Sequence, residues 1–169
     1  MSAWRSLTTR RGRRHLALTA GGVTAAAAAG GLATTPSDGW YLALEKPPWQ
    51  PPPVTFGLVW TPLYADIAAV SAAVLTTLEQ EGRSDEARAF RRALVANLVL
   101  NAGWSVMFWQ SRRLWLSTAW CGVLTASSLD LVRRSGRVDP GLRSTLAPYP
   151  AWCAFATALN ASIAQRNPR

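Results

Sequence analysis

Where the chain puts its charge constrains it more than any other feature. Five stretches, Leu16–Thr35, Thr55–Leu78, Ala93–Trp109, Leu114–Val132 and Thr145–Gln165, together hold 101 of the 169 residues. Of 18 basic and nine acidic residues, only Asp66 and Asp130 fall inside them. The helices of a soluble domain carry a charged outer face, and a disordered chain is rich in charge and poor in apolar residues; neither matches this segregation. Each stretch approaches the ~20 residues that a helix needs to cross about 30 Å of hydrocarbon. The pattern predicts an all-α integral membrane protein: a bundle of five transmembrane helices in one domain, residues 15–167, behind a basic tail at 1–14. The mean hydropathy of +0.06 hides this, because it averages apolar windows with the arginines between them.

A formal charge of +9 first suggests nucleic acid as a partner, but the basic residues lie in short runs at the window ends, and that excludes it. They choose a side. Thirteen arginines fall in the N-terminal stretch (Arg5, Arg10, Arg11, Arg13, Arg14) and in the second and fourth connections, against five basic residues on the other side. The positive-inside rule then puts the N-terminus in the cytoplasm of a bacterial-type cell membrane. The run Arg10-Arg11-Gly12-Arg13-Arg14 before an Ala/Gly-rich stretch also reads as a twin-arginine signal, cut near Ala25–Ala29. Cys121 and Cys153 are the only cysteines, with no CxxC spacing, and His15 is the only histidine. The sequence therefore predicts no metal site and requires no cofactor. No nucleophile–base set or nucleotide-binding glycine motif appears, so a conventional hydrolase, kinase or dehydrogenase is excluded.

The first connection, residues 36–54, is the most unusual segment. Five prolines lie between Pro47 and Pro53, beside Trp40, Tyr41 and Trp49. Proline fixes φ and removes a donor, so the stretch is stiff without being a helix or a central strand. Stiff backbone with large aromatics predicts a folded lid over the helix ends, carried by Lys46, Pro47, Pro51 and Pro52, rather than only an interfacial aromatic belt. The second connection, Glu79 to Arg92, reads as a solvated loop, Gln110 to Arg113 as a tight turn, and the fourth as an ordinary loop.

Polar groups within a membrane helix point inward. Asn97, Asn101 and Ser105 share a face at i, i+4, i+8, with Trp104 and Phe108 adjoining. Tyr149, Trp152, Ala156 and Asn160 form a second stripe, and Trp60, Tyr64, Ile67 and Ser71 a third. If the stripes converge they line an aromatic pocket with a few donors, suited to a flat apolar ligand. The amides serve equally well as interhelical glue, and spacing alone leaves both readings open. Asp66 has three readings: protonated, paired with an arginine or a tyrosine hydroxyl, or part of the site. Asp130 reads as an ion pair with Arg133 at a helix end. Ala154, Ala158 and Ser162 form a small-residue ridge for helix packing or a dimer.

These residues carry a likeness. Trp40-Tyr41-x-x-Leu44-x-Lys46-Pro47-x-Trp49-x-Pro51-Pro52, then Phe56-Gly57-x-x-Trp60-x-x-Leu63-Tyr64, resembles the tryptophan-rich sensory protein / translocator protein (TspO/MBR) family. Leu100-Asn101-x-x-Trp104-Ser105-x-x-Phe108 continues it. Pro148-Tyr149-x-x-Trp152-x-x-Phe155-Ala156-Thr157-Ala158-Leu159-Asn160 closes it. The resemblance implies a five-helix bundle, usually a homodimer, whose first helix is kept and whose pocket under the first loop binds porphyrins. It implies Trp40, Trp49, Trp60, Tyr64, Asn97, Asn101, Trp104, Phe108, Tyr149, Trp152, Ala156 and Asn160 as ligand-binding residues. The implied roles are tetrapyrrole transport, buffering or oxidative-stress sensing. The alternatives are light-dependent porphyrin degradation, with Trp60 and Trp152 as catalytic residues, or ligand-dependent regulation of partner membrane proteins. The chain departs from the family pattern at three places. Asn97 stands where the family commonly has glutamine, Pro150 follows Tyr149, and no tyrosine precedes Arg166 to complete the sterol motif of animal members.

Overall fold

The computed structural model describes residues 3–168. A 3-10 helix, Ala3–Thr8, leads into α1 (Arg10–Leu32), α2 (Gly39–Leu42), α3 (Pro53–Gln80), α4 (Ser84–Trp109), α5 (Leu114–Gly136), α6 (Pro140–Leu146) and α7 (Pro148–Arg166). The protein is all-helical, with seven α-helices among the described residues where the sequence counts five. The two extra helices, α2 and α6, have four and seven residues and lie within expected loops. Asp38 and Asp139 start them: each carboxylate accepts a backbone N–H from the first turn. The other five have 19 to 28 residues. Of these, α1 and α3 are long and apolar enough by themselves to cross a membrane.

Three of the apolar windows fall inside these helices; the first runs three residues past the end of α1, and the last begins three residues before α7, at the end of α6. Two further ends differ from expectation. Helix α4 begins at Ser84, so most of the charged second connection is helical. Asp85 and Glu86 favour its first turn, and Arg83 is held by Glu81 and Glu86. Helix α1 begins at Arg10, capped by Thr9, whose hydroxyl accepts the Gly12 N–H. The residues before it are not a free tail. Ala3 and Ser6 are buried, Ala3 N–H donates to Asp139 at 3.0 Å, and the 3-10 helix packs on α1 and α3. A Cβ on Gly12 would lie 2.7 Å from the Leu7 Cα, so only glycine permits this approach.

Helix α1 packs on α3 and α4, and α5 packs on α4 and α7. The core is densest around the C-terminal half of α3, where Val70 to Thr76 are all buried. There His15 Nδ1 meets Thr76 Oγ1 at 3.0 Å, and its Nε2 lies 3.5 Å from Glu79. Asp130 pairs with Arg134, four residues on, at 2.6 Å, and not with Arg133. At the other end of the bundle, the N-terminal half of α3 and the C-terminal halves of α1 and α4 stand apart and leave a space.

Candidate ligand-binding site

That space is a cavity of about 670 Å³. It falls within the roughly 300–1,000 Å³ typical of small-molecule sites. Five long helices and the first connection wall it. Trp60 and Tyr64 come from α3, Asn101, Trp104 and Phe108 from α4, and Trp152, Ala156 and Asn160 from α7. These eight expected residues are brought together, from three separate sequence windows.

The other expected residues lie elsewhere. Asn97 and Tyr149 are fully buried beneath the cavity. Tyr64 Oη donates to Asn101 Oδ1 at 2.9 Å, and Asn101 Nδ2 donates to Tyr149 Oη at 3.4 Å. Tyr149 Oη donates to Asn97 Oδ1 at 2.8 Å, and Asn97 Nδ2 donates to Ser127 and Ser128 at 3.1 and 3.2 Å. This chain crosses α3, α4, α7 and α5 and forms the cavity floor. Asn97 has its capacity used there, so it offers nothing to a ligand. The amides thus divide between the two roles that spacing left open: Asn97 joins helices, Asn160 lines the cavity, and Asn101 does both.

Trp40 and Trp49 do not line the cavity. Trp40 stands edge-on to Phe108, with ring centres 5.6 Å apart, and Trp49 edge-on to Phe155 at 5.8 Å. Lys46 does not line the cavity either. Its Nζ donates to the carbonyls of Tyr41 and Leu44 at 2.6 and 3.1 Å, and it lies 4.4 Å above the Tyr41 ring. Pro47, Pro51 and Pro52 shape the loop without touching the space. Pro36, Tyr41, Gln50 and Pro53 line it instead. Arg112, in the α4–α5 turn at φ +55°, pairs with Asp38 at 3.0 Å and ties the loop to the bundle.

Sequence reasoning missed the contribution of α1 and the residues just after it: Ala27, Gly30, Gly31 and Thr34 line the cavity. Their signal is the second GG pair of an otherwise alanine-rich window; a Cβ on Gly30 would stand 3.3 Å from Ser105 Oγ. Cys121 and Cys153 also line the space as free thiols. Asp66 neither lines the cavity nor forms an ion pair among the described residues. The described residues contain no group of three or more metal-ligating side chains.

The lining is apolar and aromatic, and no lysine, arginine, aspartate or glutamate belongs to it. Its unused polar atoms are particular. Trp104, Trp109 and Trp152 each bury an indole N–H without an acceptor, and Gln50 and Asn160 each bury an amide oxygen without a donor. A buried polar group left unpaired costs about 1–3 kcal/mol, so a cluster of five around one cavity marks where a ligand's polar atoms belong.

Residues 16–166, which contain every wall of this cavity, match the TspO/MBR family. The chain belongs to that family. Among TspO/MBR relatives, the tryptophan-rich protein TspO of Bacillus cereus is 31% identical over 124 residues, covering 73% of this chain and 78% of its own length. The translocator protein of Ovis aries is 32% identical over 131 residues, covering 76% and 75%. The tryptophan-rich sensory protein of Cereibacter sphaeroides is 32% identical over 142 residues, covering 82% and 85%. Family membership makes this a membrane protein, and it accounts for the aromatic cluster under the loop.

Proposed function

We propose that this TspO/MBR protein binds a porphyrin-like tetrapyrrole in the cavity, as a carrier, buffer or sensor. The observation that carries the reading is the aromatic, uncharged cavity with three unpaired indole N–H donors. A tetrapyrrole is a broad aromatic plane, and Trp60, Trp104 and Trp152 offer faces and edges to stack on it. With no lining cation, the plane sits inside while its carboxylates stay at the loop-covered mouth. The printed names of the relatives, sensory and translocator, fit a protein that binds and responds or passes on.

The same reading has the five long helices cross the bilayer, with the thirteen-arginine side in the cytoplasm and the cavity near the opposite face. A homodimer belongs to this reading as well. Both catalytic candidates of the degradative alternative, Trp60 and Trp152, border the space, so one experiment separates the roles.

Detergent-purified protein is titrated in the dark with protoporphyrin IX while tryptophan quenching is followed. Saturable quenching at micromolar concentration, weakened by Trp60→Ala or Trp152→Ala, is expected. Linear quenching insensitive to both substitutions overturns the proposal. Under illumination a carrier releases unchanged porphyrin, whereas an enzyme consumes it, and Trp152→Phe then slows consumption more than it weakens binding.

A further inference from the structure

At the end of the bundle opposite the cavity, arginine outnumbers its partners. Each acidic side chain there is already engaged. Glu79 meets Arg91 and His15, Glu81 and Glu86 hold Arg83, Asp85 holds Arg88, and Asp130 holds Arg134. Asp139 accepts backbone N–H groups from Ala3 and Gly141. Arg5, Arg10, Arg11, Arg13 and Arg14 are exposed and form no ion pair or side-chain hydrogen bond among the described residues.

The arrangement is costly as it stands. Arg10 to Arg14 occupy the opening of α1, which has no acidic residue in its first turn. The macrodipole is positive there, so each cation is disfavoured, and the four also repel one another. The backbone that carries them is nevertheless fixed in place. With 3.6 residues per turn, Arg10, Arg13 and Arg14 share one outward arc of about 100°, with Arg11 beside it. Gly12 and His15 take the opposite arc and are buried. The 3-10 helix that carries Arg5 is anchored by Ala3 and Ser6, so Arg5 is held beside them and not on a free tail.

The position selects the partner. Arg14 stands two residues before the uncharged window, and Arg10 to Arg14 span about 6 Å of helix axis. That matches the headgroup layer, about 5–7 Å on each side of the hydrocarbon. Trp4, half-buried beside this cluster, is of the residue type that settles at the same level. We propose that the arginines of the 3-10 helix and the first turn of α1 form a binding site for an anionic phospholipid headgroup. Guanidinium forks meet phosphate oxygens in two-point hydrogen bonds, and the phosphate supplies the negative charge that the chain leaves out. The site lies beyond the cavity and does not depend on what the cavity binds.

Native mass spectrometry of the full chain in neutral detergent, which has no surface potential of its own, tests this with added phosphatidylglycerol or phosphatidylcholine. The wild type is expected to retain phosphatidylglycerol about tenfold better, falling as salt rises from 50 to 200 mM. Arg10→Gln/Arg11→Gln/Arg13→Gln/Arg14→Gln should lose the preference, the all-lysine version should keep only the part that charge alone supplies, and Arg133→Gln/Arg137→Gln/Arg143→Gln should keep all of it. Helical circular dichroism, checked in each variant, separates lost binding from lost folding. Equal retention of both lipids by the wild type overturns the proposal, as does an undiminished preference in the glutamine variant. Competition by millimolar inorganic phosphate alone assigns the cluster to a free anion and overturns the lipid site.

Discussion

Tyr149 is the residue on which the cavity floor turns. It lies wholly buried between two asparagines, donating to Asn97 and accepting from Asn101. Tyr149→Phe keeps the ring against Trp60, 6.1 Å away, and removes only the hydroxyl. Asn97 Oδ1 is then left in the core without a donor. The expected cost is about 1–3 kcal/mol, read as a lower unfolding midpoint in detergent. Tyr64→Phe breaks a bond at the cavity edge, where a ligand or water replaces it, and should cost less than Tyr149→Phe. Equal losses would mean that the floor is not a connected chain. At this scale the sequence was informative about which residues matter and less so about what each does. Asn97, Asn101 and Ser105 share a helical face, and period alone shows that. Whether an asparagine on that face meets a ligand or a serine depends on what α5 and α7 place opposite. Trp40 and Trp49 show the same limit. Their type and loop mark them as part of the lid, but their contacts with Phe108 and Phe155 arise from the folded loop.

Among the elements, the amino-terminal 3-10 helix gains most from tertiary structure. A basic run ahead of an apolar window reads as a tail, because nothing local announces Asp139, which is 136 residues away in sequence. The backbone donors of Ala3 and Gly141 hold the Asp139 carboxyl below the usual carboxylate range. A lowered folded value means that the contribution is present above the ordinary carboxylate range and is lost as pH falls through the lowered one. Asp139→Ala at neutral pH should therefore release Ala3–Thr8, seen as faster hydrogen–deuterium exchange there, with α3 unchanged. Gly12→Ala should release the same segment by steric force, since its Cβ meets the Leu7 backbone. If protection survives both substitutions, the docking is not what the structure describes. The long helices, by contrast, were legible because each carries an apolar window of about 20 residues with almost no charge. Their charged ends were not. The arginines of α4 suggest water, and water tolerates helix and loop alike.

For the whole molecule, most of the charge lies at the end away from the cavity. The lining has no ionised side chain, and Lys46, the nearest cation in the first connection, spends its protons on Tyr41 and Leu44 carbonyls. A porphyrin bound there should gain little from its carboxylates. Protoporphyrin dimethyl ester is expected to bind within about tenfold of the diacid, a difference below about 1.4 kcal/mol, by the same quenching titration. A much larger preference for the diacid would mean that Lys46 or Arg112 turns from its present partners to a carboxylate. The far end of the chain adds one more consequence. Asn167 Oδ1 accepts the Glu45 N–H, and its Nδ2 donates to the Glu45 carbonyl, both at 3.0 Å, so the residue that follows α7 clasps the loop that roofs the cavity. The carboxyl end is thus a handle on the roof. A tag or reporter fused after Arg169 attaches two residues from that clasp, and ligand exchange measured on such a fusion includes the weight of its own label.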